Sequence, residues 1–366
     1  MAILKKNQVV GLDIGSCTIK LVEIEHTKSG RNLKNFGMVG VPQGAIVEGS
    51  IKDIEAVSNV IRNLFDNLRV NNRNVAVSLS GYAVIAKKIE LDKTDETGLE
   101  ALIHEEAEKH IPFDINDVNI DFAVLPSVKS DSDSDEVEND KKAPVDSKTM
   151  DVMLVAAKKD VVEEYINLVN AANLNPVILD VDVFALQNAV EASVEDPLGS
   201  FAIINIGANE LQINTIRNGI SIFSRDSSYG GARINGDIMA AFDVTFEEAE
   251  KIKLGGSEEK GRRDSLESIF TSQVSNWVKE IRRALEFVAG TYAGGPVAEI
   301  LLAGGSCRLP GFARYLEMET GITVKELNPF FDISVNEKYF DLDYLNYMAP
   351  QAGVAVGLAL RSIGDK

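Results

Sequence analysis

The residues of this sequence best suited to chemistry stand in three short turns, each of which follows an apolar stretch and contains glycine. The turns are Asp13-Ile14-Gly15-Ser16, Asn205-Ile206-Gly207-Ala208 and Ala303-Gly304-Gly305-Ser306. Glycine lets the backbone come close to a bulky anion and reach φ > 0, and successive N–H groups in such turns can point inward at phosphate oxygens. Two hairpin turns facing each other would hold a polyphosphate, and a Gly-Gly turn would let a flat purine lie against the backbone.

The first turn also carries charge of both signs. An acidic residue beside phosphates would repel them unless a cation lies between, so Asp13 is best explained as a Mg²⁺ partner acting through water, because Mg²⁺ keeps several waters and takes one or two carboxylates. Lys20 has the charge to donate to a phosphate. A single Asp-x-Gly hairpin is more often structural than functional, but two similar hairpins followed by a Gly-Gly turn favour nucleotide binding.

The elements that must position these turns can be read from hydrophobic periodicity. The stretch 9–25 alternates around its glycine turn and predicts two antiparallel strands, followed by a third strand, NFGMVGVP. Residues 53–68 have apolar positions at helical spacing, with Asp53 as a plausible N-cap, and NVAVSLS then predicts a buried strand. The stretch that begins at Phe201 repeats strand, glycine turn, strand, turn, strand, so the sequence predicts a duplicated α/β fold.

The stretch 82–181 between the two repeats reads as strand, helix, strand, strand, helix, strand, which predicts a small α+β insert. Its segment 130–148 is acidic and of low complexity, which predicts a disordered surface loop. The predicted domains are therefore 1–81 with 182–199, the insert, and 200–366, whose part at about 233–292 is helical.

Composition excludes several function classes. The 366 residues carry a formal net charge of −19, which makes nucleic acid an unlikely partner because phosphate binding needs a basic face. Apolar runs are too short for a membrane span. The two cysteines, Cys17 and Cys307, lie far apart in Gly-rich turns, which favours free thiols of a cytosolic protein.

The order of the three glycine motifs resembles that of the phosphate-1, phosphate-2 and adenosine motifs of the actin/Hsp70/sugar-kinase ATPase fold. The motifs are GLDIGSCTIKLVE, IINIGANELQINTI and ILLAGGSCRLPGF. More narrowly, the whole chain is similar to the PilM family, the cytoplasmic actin-like proteins of the type IV pilus inner-membrane assembly complex. The stretches that carry this resemblance are EEAEKHIPFDINDVNIDFAVL, NIGANE, RNGISIFSRDSSYGG, NPF and APQAGVAVGLALR.

The resemblance implies an actin-like (ribonuclease H-like) duplicated α/β ATPase fold. Residues 1–81 and 182–199 would form subdomain IA, 82–181 the 1C subdomain shared with the division protein FtsA, and 200–366 domain II with a helical IIB part. It implies ATP and Mg²⁺ as cofactors, with Asp13 as the metal partner. The implied nucleotide-binding residues are Asp13, Gly15, Ser16, Cys17, Thr18, Lys20, Asn205, Gly207, Ala208, Asn209, Glu210, Gly230, Gly231, Lys251, Gly304, Gly305 and Ser306.

The family also implies partners. Its members bind the short N-terminal cytoplasmic tail of the bitopic membrane protein PilN, and through PilN they join PilO and the pilus motor ATPases. This predicts a cytoplasmic protein that is peripheral at the inner membrane through its partner, without direct membrane insertion, and leaves a homo-oligomer open.

The sequence departs from the superfamily at the second turn, where Asn205 stands in place of a frequent aspartate. An amide cannot act as a general base, so slow or absent hydrolysis is expected, no catalytic residue is assigned, and Glu210 is the alternative base. An active ATPase or sugar kinase remains an alternative, although its candidate bases, Asp180 and Asp182, are expected to be surface residues. The second alternative is an FtsA-like filament protein, which the ending LALRSIGDK disfavours because it lacks a basic amphipathic stretch.

Overall fold

The architecture is taken from a computed structural model that describes residues 8–28, 30–47, 49–126, 148–255, 263–292 and 294–365. The predicted acidic loop at 130–148 lies outside these ranges except for Lys148. The chain forms two compact units: the larger one is Met1–Gly81 with Val162–Asp365, and the smaller one is Tyr82–Val161.

The strands and helices follow one another along both units. The strands are β1 (Val10–Ile14), β2 (Thr18–Thr27), β3 (Gly30–Gly40), β4 (Ile46–Val47), β5 (Ser50–Ile51), β6 (Asn74–Leu79), β7 (Val84–Asp92), β8 (Val118–Val124), β9 (Thr149–Lys158), β10 (Asn175–Val181), β11 (Ser200–Ile206), β12 (Leu211–Arg217), β13 (Ile220–Ser227), β14 (Glu299–Ala303), β15 (Thr323–Glu326) and β16 (Ile333–Ser334). The helices are α1 (Ile54–Asn67), α2 (Glu96–His110), α3 (Lys159–Ala171), α4 (Asp182–Glu191), α5 (Ala232–Phe242), α6 (Phe246–Lys253), α7 (Arg263–Thr291), α8 (Phe312–Thr320), α9 (Leu342–Met348) and α10 (Gly353–Ala359).

The larger unit contains two sheets that share five equivalent strands, and β16 adds a sixth to the first of them, in parallel with β3. The first sheet has the order β10-β6-β1-β2-β3-β16 and the second β13-β12-β11-β14-β15. In each, three antiparallel strands are joined by hairpins, and parallel strands extend the sheet beyond the first of them. The predicted duplication of strand order is confirmed, and it places both glycine turns at the same point of equivalent hairpins.

Helix α1 shows why the predicted helices form where they do. The Oδ1 atom of Asp53 accepts a hydrogen bond of 2.9 Å from the N–H of Ala56 and so caps the helix start, as predicted. Val57, Ile61 and Phe65, at helical spacing, are completely buried.

Two helices lie in a core that the two sheets share. One buried cluster contains Ala76 of β6, Ile203 of β11, Val190 of α4 and Leu358 of α10. The glycines of α10 permit this packing, because a Cβ at Gly357 would overlap the backbone carbonyl of Ala185 in α4. The C-terminal stretch is helical despite its glycines because they are needed for the close approach of the two backbones.

The helical part of the second half also matches its prediction. This helical part is divided at Asp243, a left-handed residue with φ 53° that ends α5. Thr245 and Glu248 then form a reciprocal capping box that starts α6. Trp277 of α7 is buried against Phe312, with ring centroids 5.5 Å apart.

The smaller unit is a three-stranded antiparallel sheet, β7-β9-β8, with a core of its own. Its C-terminal boundary differs from the predicted 181. Strand β10 pairs in parallel with β6 of the larger unit, so the stretch after Val161 belongs to that unit. Within the ranges that the structure describes, no helix is long and apolar enough to cross a membrane.

Candidate functional site

The two hairpin turns are equivalent residue by residue. In the first, Asp13 of β1 pairs with Lys20 of β2, and the N–H of Gly15 donates to the carbonyl of Thr18 at 3.1 Å. In the second, Asn205 of β11 pairs with Gln212 of β12, and the N–H of Gly207 donates to the carbonyl of Glu210 at 2.8 Å. The same register and the same closing hydrogen bond give both turns the same shape.

The cross-strand pair differs in charge between the turns. Lys20 Nζ donates to Asp13 Oδ2 at 3.0 Å, and both side chains are nearly buried. At the equivalent position Asn205 Nδ2 donates to Gln212 Oε1 at 2.8 Å. One turn is therefore held by an ion pair and the other by two neutral amides.

The third turn packs directly onto the second. Ser306 Oγ donates to the carbonyl of Gly207 at 2.9 Å. Gly304 has φ 86°, and a Cβ there would overlap the carbonyl of Ile206, so only glycine fits. The Gly-Gly turn after β14 thus comes within contact distance of the second hairpin.

These turns line one cleft in the larger unit, with a volume of about 260 Å³. All the predicted nucleotide-binding residues except Gly230, Gly231 and Lys251 line it. The lining residues that the sequence analysis did not assign include Ser80, Tyr165, Asp182, Gln212, Asn235, Phe246, Glu250, Lys253 and Gln351.

Gly230 and Gly231 do not line the cleft; they contact the backbone of the second turn. The N–H of Gly231 donates to the carbonyl of Gly207 at 3.0 Å. A Cβ on Gly230 would overlap the carbonyl of Ala208, and one on Gly231 would overlap Ser306 Oγ. Their role in the structure is therefore close backbone packing.

Lys251 is not among the residues that line the cleft, and its side chain is exposed. Helix α6 presents Glu250 and Lys253 to the cleft, and these are three residues apart, which puts them on one face. Lys253 is buried and its Nζ donates to Glu250 Oε2 at 2.6 Å. Lys251 points elsewhere because a single residue step turns the helix by about 100°.

The expectation that Asp180 and Asp182 are surface residues is wrong. Asp180 is buried and accepts a hydrogen bond of 2.6 Å from Arg361 Nη1. Asp182 lines the cleft, where burial and the charge of Asp13 raise the pKa of its carboxyl well above the ordinary value, while a hydrogen bond with Ser78 opposes that rise. A signal for Asp182 was available, since it directly follows a parallel strand, and ligands bind at the carboxyl ends of such strands.

Glu210 lies on the second turn and faces the residues that lead to the smaller unit. Burial and the neighbouring Asp226 raise the pKa of its carboxyl from 4.5 to about 7, against a hydrogen bond with Ser80. The backbone of Gly81, at φ 66°, passes so close that a Cβ there would overlap the Glu210 carboxylate. A carboxyl with a pKa near neutrality is suited to exchanging a proton at physiological pH.

The thiols beside the cleft are both free, as predicted. Cys17 lies in the first turn, and burial is the main cause that raises its pKa. Burial likewise raises the pKa of Cys307, to about 12.

Comparison with known proteins gives one consistent result. The model of the family described as "Type IV pilus assembly protein PilM" matches residues 11–363. Among solved structures, the chain is similar to the "PilM-PilN type IV pilus biogenesis complex", with 28% identity, a TM-score of 0.83, and coverage of 98% of this chain and 99% of that chain.

Two further proteins are similar at greater distance. The cell division protein FtsA of Bacillus subtilis is 25% identical over 256 residues, which cover 67% of this chain, so that this chain spans 57% of the length of that relative. The ethanolamine utilization protein EutJ from Carboxydothermus hydrogenoformans has 14% identity and a TM-score of 0.53, over 96% of this chain and 89% of that one. These likenesses confirm the predicted actin-like fold.

Proposed function

This chain belongs to the PilM family of type IV pilus assembly proteins, and from that membership we propose that it is an ATP-binding scaffold that binds the N-terminal cytoplasmic tail of PilN. The observation that carries the proposal is the likeness, over almost the whole of both chains, to the protein of the PilM–PilN complex. Through PilN the chain would join PilO and the pilus motor ATPases and lie at the inner membrane as a peripheral, cytoplasmic component.

The cleft has the features that a nucleoside triphosphate requires. The N–H groups of Gly15 and Gly207 close their hairpins, so the amides that follow them in the two equivalent turns, those of Ser16 and Ala208, would be the donors to phosphate oxygens.

Asp13 and Asp182 are the residues that would hold Mg²⁺. The raised pKa of Asp182 reflects its burial and the charge of Asp13, and a cation beside both would relieve that repulsion. Among the described residues no group of three or more His, Cys, Asp or Glu is arranged to hold a metal, so phosphate oxygens and water would complete the coordination. Bound Mg²⁺ would neutralise phosphate charge.

Hydrolysis would be slow. Asn205 cannot accept a proton at the second turn. Glu210, on the same turn, would be about half protonated near neutral pH because its pKa is raised to about 7, so only part of it would be able to act as a general base. The turn held by neutral amides would therefore retain ATP more readily than it would promote its hydrolysis.

The test is calorimetric titration of the protein with a synthetic peptide of the PilN N-terminal tail, with and without Mg-ATP. We expect saturable binding of this peptide and none of a scrambled peptide of the same composition. Absence of binding under both conditions would contradict the scaffold proposal.

Two variants test the proposed nucleotide binding, and calorimetric titration with Mg-ATP measures their affinity. Asp13→Ala is expected to abolish Mg-ATP binding, and Gly207→Ala to weaken it at least tenfold. A Cβ at Gly207 would meet nothing closer than the carbonyl oxygen of Glu210 at 3.5 Å, so that variant should fold normally. Gly236→Ala, on α5 and with open space around its Cβ, is the matched control. Unchanged ATP affinity in both cleft variants would refute the site.

A further inference from the structure

Exposed aromatic side chains are concentrated in one short stretch of the larger unit, residues 331–347. Of the six aromatic side chains that are exposed among the described residues, four lie in this stretch and two elsewhere. The four are Phe331, Tyr339, Tyr344 and Tyr347, and their exposed fractions lie between 48% and 82%. Contact surfaces between proteins are enriched in tyrosine, and exposed apolar groups gathered in one place mark such surfaces.

Helix α9 gives this stretch a defined face. Tyr344 and Tyr347 are three residues apart, and Asp343 and Tyr347 are four apart, so the three side chains are neighbours on one side of the helix. Leu345 lies on the other side and is buried in the core cluster that contains Phe36 of β3. Asp343, Tyr344 and Tyr347 are named the tyrosine face below.

The tyrosine face is held in one orientation by the protein itself. Asp341 Oδ1 accepts hydrogen bonds from the N–H groups of Asp343 and Tyr344, at 3.0 and 3.1 Å, and so caps the start of α9. Near the other end of the helix, Arg308 Nη1 donates to the carbonyl of Tyr347 at 3.3 Å. A surface that is already ordered loses little conformational entropy when a partner binds, which suits a docking role.

The charges of the stretch restrict the chemistry of its partner. Residues 331–347 contain four carboxylates and one lysine. Two of these carboxylates, Glu337 and Asp343, are exposed and form no ion pair with the residues that the structure describes. A carboxylate beside two phenol rings suits a guanidinium group, which pairs with carboxylates through two hydrogen bonds and also stacks on aromatic rings.

Arg308 shows that these rings accept a guanidinium. Its Cζ atom lies 4.2 Å from the centroid of the Tyr347 ring, which is within the range of cation–π contacts. Over the ring of Tyr344, on the same face, no cation of the described residues is placed in this way, and Asp343 beside it supplies the opposite charge. This part of the face therefore matches an arginine side chain of another molecule.

Other occupants fit the charge less well. The carboxylates would repel the phosphates of nucleic acid or of an anionic bilayer, and a second copy of the chain would bring the same acidic face and a net charge of −19. We propose that the tyrosine face docks a positively charged, arginine-bearing segment of a partner protein. None of its three residues lines the cleft, so the inference does not rest on nucleotide binding and adds to the proposed function a docking surface outside the cleft.

The test is fluorescence anisotropy of a labelled helical peptide that carries arginines along one face, titrated with the full chain at an ionic strength of about 0.15 M. We expect saturable binding of this peptide and none of a counterpart in which glutamine replaces every arginine. A lysine counterpart should bind more weakly, because an ammonium group neither stacks nor pairs with both carboxylate oxygens. Asp343→Asn and the double variant Tyr344→Ala/Tyr347→Ala should each weaken binding about tenfold.

Two control variants match these changes in charge and in ring exposure. Glu247→Gln removes an exposed carboxylate from α6, and Phe287→Ala removes a ring that is 50% exposed from α7. Neither should change the affinity for the arginine peptide. Thermal melting checks that every variant folds, and Asp343→Asn, which keeps the size of an exposed side chain, tests the inference by itself if the double variant does not fold.

The outcomes separate this inference from its alternatives. Absence of binding of the arginine peptide, or unchanged affinity in both variants of the face, would exclude the docking surface. Equal weakening by Asp343→Asn and Glu247→Gln would mean that net charge alone attracts the peptide.

Two further measurements identify a different occupant. Displacement of the arginine peptide by the PilN tail peptide would mean that the proposed tail binds at this face, and the inference of a separate docking surface would be wrong. Self-association of the unaltered protein, measured by sedimentation and lost in the double variant, would mean that a second copy covers the face and would likewise overturn the inference.

Discussion

At the scale of single residues, the identity of the cross-strand pair decides the charge of each turn while the backbone stays the same. Asp13–Lys20 and Asn205–Gln212 occupy equivalent register positions, and in both pairs one nitrogen donates to one oxygen at about the same distance. The amide pair preserves the geometry and removes the ionisable groups. This explains how the second turn can keep its shape without a carboxylate at the strand position that Asp13 occupies in the first turn.

Glu210 gives a prediction for stability against pH. Its pKa is raised from 4.5 in the free state to about 7 in the fold, so between these values the folded state binds more protons than the unfolded state, and stability falls as pH rises through this window. Glu210→Gln removes that loss. We expect the variant to exceed the unaltered protein in free energy of unfolding by about 1–2 kcal/mol at pH 8, measured by urea denaturation.

The same comparison at pH 4 should show no such advantage, because both states of the unaltered protein then carry a protonated Glu210. Glu247→Gln, an exposed position on α6, should behave like the unaltered protein at both pH values. A Glu210→Gln variant less stable at pH 8 than its parent would contradict the assignment of burial as the cause.

At the scale of elements, α10 packs on α4 through backbone contact. Gly357→Ala would drive a methyl group into the carbonyl of Ala185, where only backbone could yield. We expect a loss of about 3 kcal/mol or more in unfolding free energy, because overpacking against a rigid neighbour forces the helices apart. Thermal and urea denaturation measure the loss.

Two other helical glycines serve as controls for that prediction. A Cβ added at Gly236 in α5 or at Gly290 in α7 would meet no heavy atom of the described residues within 4 Å. Replacing either by alanine should stabilise the protein by about 0.5–1 kcal/mol, since alanine has the higher helix propensity. If all three alanine variants changed stability alike, close packing at Gly357 would be excluded as the reason for its glycine.

Most elements could be predicted from the sequence because they depend on local patterns. The hairpins around both glycine turns, α1 with its Asp53 cap, and the break at Asp243 follow from alternation, capping and turn chemistry. The sequence analysis assigned the stretch that forms β10 to the insert, whereas the structure pairs it with β6 of the larger unit. Alternation of apolar residues predicts that a strand forms, but it does not predict which strand it pairs with. Local pattern cannot carry that information.

The site was predictable where glycines mark it and less so elsewhere. The three turns could be found because their residue types are unusual for apolar strands. Asn235, Tyr165 and Asp182 reach the cleft through the packing of helices, and nothing in the local sequence of Asn235 or Tyr165 distinguishes them. Lys251 and Lys253 show best what the sequence cannot predict. Both are lysines on one helix, and only the orientation of that helix decides that Lys253 lines the cleft.

At the scale of the whole molecule, the net charge of −19 is a source of self-repulsion. Raising ionic strength from about 0.01 M to about 0.15 M shortens the screening length from about 30 Å to about 8 Å. We expect the melting temperature to rise by about 1–2 °C, which corresponds to about 1 kcal/mol because the unfolding entropy, about 2.1 cal/mol/K per residue, is large for a chain of 366 residues. Differential scanning calorimetry in sodium chloride measures the shift.

Choline chloride at the same ionic strength should give the same rise, because screening does not depend on the identity of the cation. A fall in melting temperature with added salt would mean that attractive ion pairs, such as Arg361–Asp180, outweigh the repulsion between like charges.

The register of the two hairpins restricts changes of chain length as well as changes of residue. Paired residues share a face of the sheet, and successive residues alternate between faces. Inserting or deleting one residue within β1 before Asp13, or within β11 before Asn205, would shift the register, and every side chain between that point and the turn would change faces unless a bulge absorbed the change. Bulges of this kind occur in the adjoining strand pairs, after Glu23 and after Thr215, but β1 and the stretch of β11 that leads to its turn pair without one. The cleft therefore depends on the length of the two strands that lead into its turns as well as on the residues of the turns.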